Sequence, residues 1–330
     1  MDRIKIKKNK ALLTNIILLC TAVLLFVISL LVGKFDLSFK ELINSNELHK
    51  SVFLTLRLPR TVACVISGIV LSSAGYAYQT VFKNPLASPD IIGVASGASS
   101  GAAFAILFLS ASAVATTAGA FAGGMLAVAV SLSICSAIKS RSTSTIVLAG
   151  VAVNAFFQMI LMVLKLSADP EKQLASIEYW IMGSLNAVTL KSLVPMAVIG
   201  VACVLLLFAL HRQIMLLSYN SEEAELLGVN VPKMRRIVLI VSTLGVASVI
   251  SATGIISFVG LIAPHIARML MKTNKKSSML CAALVGIITM LIADIFARSA
   301  AESELPLSIF TSLVGAPFLV YLLVRKKNYE

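Results

Sequence analysis

Ten long apolar runs dominate this 330-residue chain and limit what it can fold into. Each is close to the roughly 20 residues that an α-helix needs to cross the hydrocarbon core of a bilayer. Because backbone polar groups find no water there, each run predicts a helix that satisfies its own N–H and C=O groups. The sequence therefore predicts an all-α integral membrane protein with about ten transmembrane helices. The predicted spans are 11–33, 61–81, 92–109, 118–138, 146–166, 192–210, 236–252, 255–271, 278–296 and 307–324.

Composition agrees with a membrane protein. The chain is 58% hydrophobic and 13% charged, whereas soluble domains are about 45–50% apolar and about 25% charged. We expect one transmembrane domain, 1–330, with a short cytoplasmic tail at 1–10. Single cysteines scattered within apolar runs predict neither disulfides nor a metal site; they are Cys20, Cys64, Cys135, Cys203 and Cys281.

The distribution of Lys and Arg predicts the orientation. Their excess over Asp and Glu, 28 against 15, is explained by basic loops on one membrane face rather than by nucleic-acid binding. With ten spans and both termini cytoplasmic, the cytoplasmic segments carry 19 of the 28 and the opposite segments carry 9. This arrangement places Arg57 and Arg60 outside. The weakest boundary is the Thr253-Gly254 break between the seventh and eighth runs.

Small residues are concentrated in two runs, "SGASSGAAFA" (96–105) and "AGAFAGGMLAVAVS" (118–131). Small side chains let helices approach closely in lipid, where no hydrophobic force drives helices together. These runs therefore predict tight helix–helix packing.

Two hydrophilic segments interrupt the apolar pattern. Segment 167–191 is predicted outside, with a short helix that carries Trp180 at the interface. Segment 211–235 is predicted inside, with a short helix that Ser221 caps and Gly228 ends. From the residues alone, this second helix is either a structured loop or a docking element for a cytoplasmic partner.

Six motifs, in this order, closely resemble the FecCD-type permeases, which are the membrane subunits of ABC importers for iron–siderophore, haem and cobalamin. The resemblance covers essentially the whole chain. The motifs are "RLPRTVACVISGIVLSSAGYAYQTVFKNPLASPDIIGVASGA" (57–98), "TSTIVLAGVAVN" (143–154), "SEEAELLGVNVP" (221–232), "GIISFVGLIAPHIARML" (254–270), "LIADIFAR" (291–298) and "ELPLSIFTSLVGAPFLVYLL" (304–323).

The resemblance implies a type II ABC importer permease fold in a bacterial cytoplasmic membrane. Its implied partners are a second permease (a copy or a homologue), two cytoplasmic ABC ATPases and an extracytoplasmic substrate-binding protein. The sequence has no G-x-x-x-x-G-K-[ST] P-loop. ATP and Mg would therefore be bound by the ATPase chains, and no cofactor, enzymatic activity or nucleic-acid partner is expected of this chain.

The resemblance also implies roles for particular residues. On the outer face, Arg57, Arg60 and Arg298 would dock onto glutamates of the binding protein; the alternative is that they are interfacial anchors whose charged heads reach water. A cytoplasmic gate would use Asn84, Leu86, Thr143 and Ser144, although N-P and S-P are also ordinary turn dipeptides. The coupling helix that contacts the ATPase would comprise Ser221, Glu222, Glu223, Ala224, Glu225, Leu226, Leu227 and Gly228.

The expected cargo is an iron–siderophore complex, with haem or cobalamin as the alternative. A transporter driven by an ion gradient would need intramembrane carboxylates, and among the predicted spans the sequence offers essentially Asp294 alone. Asp294 lies four residues before Arg298, a spacing that allows an ion pair on one helix face. A serine protease within the membrane is disfavoured, because no convincing G-x-S-x-G motif is present.

Overall fold

A computed structural model describes residues 2–33, 47–110, 112–138, 143–186, 188–271, 276–300 and 304–327, and its regular elements within these ranges are helical. The all-α prediction is confirmed. The α-helices are α1 (Asp2–Leu31), α2 (Glu47–Val52), α3 (Leu58–Val81), α4 (Val94–Phe104), α5 (Ala113–Ala137), α6 (Thr143–Leu166), α7 (Ala175–Met182), α8 (Leu190–Ala209), α9 (His211–Leu216), α10 (Ser221–Leu226), α11 (Val231–Thr253), α12 (Val259–Met271), α13 (Lys276–Ser299) and α14 (Leu307–Lys327). Tighter or wider helical turns occupy Phe53–Arg57, Pro89–Ile92, Ala105–Leu109 and Pro170–Leu174.

The predicted apolar runs coincide with helices, but the helices differ in length. Within the described ranges, seven helical stretches are long and apolar enough to cross a membrane. The remaining three runs form shorter apolar helices, Val94–Leu109, Val259–Met271 and Leu307–Leu322. Length and composition therefore give a multi-pass membrane protein with seven full-length spans and three shorter apolar helices.

Three helices, α3, α11 and α13, form the centre of the bundle. Each has most of its apolar stretch buried inside the protein, whereas α1 is mostly exposed and packs on the outside of α13. Helix α3 contacts α8, α11, α12 and α13. Residues carried at the two ends of α3 are therefore fixed by the most buried part of the molecule.

Glycines set the closest helix contacts, as the small-residue runs predict. A Cβ at Gly68 of α3 would lie 2.6 Å from the carbonyl oxygen of Gly286 in α13. Between α4 and α5, a Cβ at Gly101 would overlap the carbonyl oxygen of Gly119. Only a residue without a side chain fits at such crossings. The prediction of tight packing is confirmed.

The chain breaks after Thr253, where the weakest span boundary was predicted. Helix α11 ends at Gly254, whose φ of +71° favours glycine. The next helix begins only at Val259, after Phe258 adopts the left-handed region with φ +66°. The Phe258 ring lies against Gly315 of α14, where any Cβ would collide with it. Packing against α14 therefore holds the break in place.

Candidate functional site

Three arginines meet at one end of the bundle. Arg57 ends the turn before α3, Arg60 lies in the first turn of α3, and Arg298 lies in the last turn of α13. In this single chain all three are buried, with 7%, 7% and 4% of their surface exposed. A docking surface would be exposed, so the described residues do not form an open arginine surface by themselves. We call these three residues, with Asp294 and Glu304, the arginine cluster.

Two of the three arginines in the cluster form ion pairs with carboxylates of the same chain. Arg60 places its Nε 2.8 Å from Asp294 Oδ1 and its Nη1 2.7 Å from Glu304 Oε2. Arg298 places its Nη2 2.6 Å from Asp294 Oδ2. Asp294 is completely buried between the two guanidinium groups. A buried carboxylate is tolerated only when paired in this way.

The same arginines hold the end of α1. Arg298 Nη1 donates to the carbonyl oxygen of Val32 at 3.1 Å, and Arg57 donates to that oxygen as well. Arg298 Nη2 also donates to Ser29 Oγ at 2.7 Å. The last carbonyls of a helix have no partner within the helix and carry partial negative charge, which suits cations. The cluster therefore fastens α1 to α3 and α13.

Sequence spacing accounted for part of this cluster. The Asp294–Arg298 pair, expected from its spacing of four residues, is present. The sequence did not indicate that Arg60 reaches Asp294, because 234 residues separate them. Glu304 was also missed; its only signal is an acidic residue in the short connection between two apolar runs.

The gate residues Asn84 and Leu86 lie in a tight turn beyond the other end of α3. The backbone N–H of Leu86 donates to Asn84 Oδ1 at 2.9 Å, the arrangement by which asparagine stabilises turns. Leu86 is 42% exposed, whereas Ala87 next to it is fully buried. Lys83 enters the turn with φ +49°. The Asn84 side chain therefore stabilises the turn, and Leu86 remains exposed on its outer side.

The other two gate residues begin α6. Thr143 is its first residue and Ser144, which is exposed, its second; 141 and 142 lie outside the described residues. Further along α6, Gly150 packs against the backbone of Ile91 in the short helix that follows the Asn84 turn. Both candidate gate segments are thus attached to the helix Pro89–Ile92.

A cavity of about 260 Å³ reveals a carboxylate that the sequence analysis overlooked. Asp90, on the short helix Pro89–Ile92, lines this cavity with Leu71 of α3, Ile250 of α11 and Ser257. Ser88 Oγ donates a hydrogen bond to Asp90 Oδ2 at 3.4 Å. Asp90 is itself exposed, so it lies at the edge of a cavity beside the central helices, a position that its place next to a predicted span did not indicate.

A second cavity, of about 230 Å³, connects the Asn84 turn to the hydrophilic segment 211–235. It is lined by Asn84, Lys83, Ser218 and Arg268, together with residues of α3. The Arg268 guanidinium lies over the Tyr76 ring, 5.7 Å from its centroid. The proposed gate turn and the proposed coupling segment therefore lie at the same end of the bundle.

Within the hydrophilic segment 211–235, the proposed coupling residues 221–228 form the short helix α10 and the two residues that follow it. Its N-cap is Asn220, one residue before the predicted Ser221, and the Asn220 N–H donates to Glu223 Oε2 at 3.4 Å. Asparagine and serine cap equally well, so local propensity alone could not choose between them. Gly228, with φ +84°, follows the helix end as predicted. Pro232 lies in the first turn of α11 and so begins the next helix.

Helix α10 and the two residues after it have one buried side chain and several exposed ones. Ala224 is fully buried, and Glu222, Glu223, Glu225 and Gly228 are exposed. Leu226 and Leu227 are 89% and 60% exposed. Two adjacent exposed leucines at the end of a short polar helix favour a protein contact.

The segment 167–191 contains the predicted short helix, as α7. Lys165, at the end of α6, pairs with Glu178 of α7 at 2.8 Å. Ser308 at the start of α14 donates to the carbonyl oxygen of Met182 at the end of α7. Helix α7 therefore lies near the arginine-cluster end of the bundle.

Together, the apolar helices and the glycine crossings define a multi-pass helical membrane protein with polar clusters at both ends. The family model described as the FecCD transport family matches residues 20–325. The chain belongs to this family of ABC transporter permeases. Its members are permease subunits, and ATP is hydrolysed by a separate ATPase chain.

Individual relatives extend over almost the full length. The chain is 35% identical to the molybdate import system permease protein MolB of Haemophilus influenzae, over 92% of each chain. It is 32% identical to a probable iron chelatin transport system permease protein of Helicobacter pylori, covering 93% of this chain and 96% of the relative. A solved structure described as an inward-facing conformation of a metal-chelate type ABC transporter matches with a TM-score of 0.87 and 32% identity, over 94% of this chain and 98% of that chain.

Proposed function

We propose that this chain is the permease subunit of an ABC importer that moves an iron–siderophore complex across a bacterial cytoplasmic membrane. One observation carries the proposal: Arg60 lies in the first turn of α3, and the Asn84 turn follows the last. A 24-residue helix is about 36 Å long, enough to cross the hydrocarbon core. The arginine cluster and the coupling segment thus lie at opposite membrane surfaces.

In the proposed topology all ten apolar helices count as spans and both termini are cytoplasmic. The distribution of Lys and Arg supports this orientation, because more of them then lie in cytoplasmic segments. The break at 254–258 is tolerated within a membrane because it is packed against α14 rather than exposed to lipid. The arginine cluster then faces outward.

Each end of the bundle has a proposed partner. An extracytoplasmic binding protein would dock by carboxylates at the arginine cluster, since Arg binds carboxylates in a forked, charge-assisted geometry. Two cytoplasmic ABC ATPases, which would bind the ATP and Mg, would pack on Leu226 and Leu227 of each permease. A second permease, either a copy or a homologue, would complete the transport pathway.

In this proposal the cytoplasmic gate is formed by the Asn84 turn, with Leu86, and by Thr143 and Ser144 at the start of α6. A constriction of apolar and small polar side chains can close without burying an unpaired charge. Asn84 and Ser218 line the same cavity, and this proximity supports a link between the gate and the coupling segment.

The iron–siderophore cargo is supported by the likeness to a metal-chelate type transporter and to an iron chelatin permease. Haem and cobalamin are the alternatives, and the molybdate permease relative adds a small oxyanion to the compounds worth testing. The external binding protein selects the cargo in this proposal, so cargo identity is tested on that protein.

The deciding experiment is purification of the tagged chain from its native membrane, with mass spectrometry of the proteins that come with it. We expect a P-loop ATPase and an external binding protein. The recovered binding protein would then be titrated with ferric siderophores, haem, cobalamin and molybdate. Binding of molybdate alone would reject a chelate cargo. If no ATPase is recovered and the preparation transports its cargo with an ion gradient alone, the ABC importer function is rejected. A gradient-driven transporter is then favoured.

A further inference from the structure

The two carboxylates of the arginine cluster differ in how firmly they are held. Asp294 is within α13, is completely buried, and contacts both Arg60 and Arg298. Glu304 lies in the connection before α14, contacts Arg60 alone among the described ion pairs, and keeps 23% of its side chain exposed. One carboxylate is therefore built into the helix bundle and the other lies at its rim.

This difference determines which carboxylate can leave. Moving Asp294 would leave two buried guanidinium groups facing each other, which is strongly unfavourable. Moving Glu304 breaks an ion pair at the edge of the cluster and returns a partly exposed carboxylate to water, so it costs less than moving the fully buried Asp294. Arg60 would still keep its contact with Asp294.

Arg60 therefore has an inner side and an outer side. Its Nε is committed to Asp294 within the bundle, and its Nη1, 2.7 Å from Glu304, faces the partly exposed edge. An incoming carboxylate that approaches this edge meets a donor that is already occupied.

We propose that Glu304 is an internal competitor that occupies Arg60 until a carboxylate of the external binding protein replaces it. The inference rests on the proposed docking role of the arginine cluster and adds a mechanism to it. Docking then exchanges one carboxylate for another, so the net gain is smaller than for an unoccupied arginine. Such an exchange keeps docking weak and reversible, as a protein that must bind and leave in every transport cycle requires.

The test measures the affinity of the co-purified binding protein for the intact permease–ATPase complex in lipid nanodiscs. Glu304→Gln removes the competing charge and keeps the shape of the side chain. The matched control is Glu178→Gln, because Glu178 is also a partly exposed glutamate, 2.8 Å from Lys165, and lies toward the same end of the bundle. A third variant, Arg60→Lys, keeps the charge and loses the forked geometry.

We expect Glu304→Gln to tighten docking about tenfold at low ionic strength, a change at the low end of the coupling between close interfacial charges. The gain should shrink in high salt, since partly exposed charges are screened. Glu178→Gln should change the docking affinity less than about twofold, because it alters the electrostatic field at this end of the bundle without touching Arg60.

Two failures are distinguishable. Unchanged or weaker docking by Glu304→Gln, with unaltered thermal stability and with Arg60→Lys still weakening docking, would overturn the competitor and leave the docking role standing. Unchanged docking in both Glu304→Gln and Arg60→Lys would overturn the docking role itself. An equal gain in docking affinity for Glu178→Gln would also reject the role of Glu304 as a competitor. Loss of any nearby negative charge would then be enough to tighten docking.

Discussion

Arg60 and Asp294 are separated by 234 residues, and the Nε of Arg60 lies 2.8 Å from Oδ1 of Asp294 in the interior of the bundle. This ion pair joins the start of α3 to the end of α13. Arg298 contacts the other oxygen of the same carboxylate and also reaches α1. One buried acid thereby fixes three helices at the end of the bundle where we propose that the binding protein docks.

Replacing Asp294 should therefore damage the fold rather than docking alone. Asp294→Ala leaves two guanidinium groups buried without their shared partner, a situation that typically costs about 3–5 kcal/mol. We expect a large loss of thermal stability in the detergent-purified protein. The control is Glu178→Ala, whose partly exposed pair with Lys165 should contribute less than about 1 kcal/mol. Equal stability of the two variants would contradict the structural role of Asp294.

Helix packing should distinguish two glycines that are alike in sequence. A Cβ at Gly101 would overlap the Gly119 carbonyl oxygen, whereas at Gly124 the nearest atom, Val94 O, is 3.3 Å away. We expect Gly101→Ala to push α4 and α5 apart and to destabilise by about 1–3 kcal/mol or more. Gly124→Ala should cost clearly less than Gly101→Ala, because its neighbours need to shift by only a few tenths of an ångström. Thermal unfolding of both variants checks this, and a similar loss in both would argue against the close crossing.

The exposed leucines of α10 should couple the permease to its ATPase. Leu227 is 60% exposed, so Leu227→Glu should fold normally and place a charge in the proposed contact. We expect ATP hydrolysis that no longer responds to the cargo-loaded binding protein, and transport reduced at least about tenfold, because a buried unpaired charge weakens such contacts strongly. The proteoliposome assay would include Leu227→Ala, which keeps the contact apolar. Normal coupled transport by Leu227→Glu would place the ATPase elsewhere.

The Asn84 turn predicts a specific pair of variants. Asn84→Ala removes the acceptor for the Leu86 N–H and should loosen the proposed gate. Asn84→Ser keeps a neutral side-chain acceptor that can form the same kind of turn. We expect proteoliposomes with Asn84→Ala to leak a small trapped solute faster than wild type, and those with Asn84→Ser to resemble wild type more closely. Equal leak rates in all three would mean that this turn does not close the pathway.

Features with a local cause were predicted well. The apolar runs, the break after Thr253 and the end of α10 at Gly228 follow from hydropathy, glycine conformation and capping within a few residues. The i,i+4 pair of Asp294 and Arg298 is equally local. The N-cap of α10 was wrong by one residue, because both Asn220 and Ser221 suit that position.

Features that depend on distant contacts were not accessible in this way. Nothing near Arg60 in the chain indicates that Asp294 and Glu304 will bury it, or that Asp90 will line a cavity beside α3 and α11. From the sequence, the three arginines are interpreted as surface charges because most arginines in proteins are exposed. Arg60 and Arg298 are buried against carboxylates, and Arg57 against the carbonyl oxygen of Val32, and only the folded chain brings these partners to them.

The sequence by itself determined that this protein is a helical membrane protein, since apolar runs of this length satisfy their backbone groups in lipid as helices. Its six motifs carried the resemblance to FecCD-type permeases. It also determined where small residues permit close helix contacts. Only the tertiary structure decided which charges neutralise one another. Pairing between α3 and α13 is set by helix packing over more than two hundred residues, which no local pattern encodes.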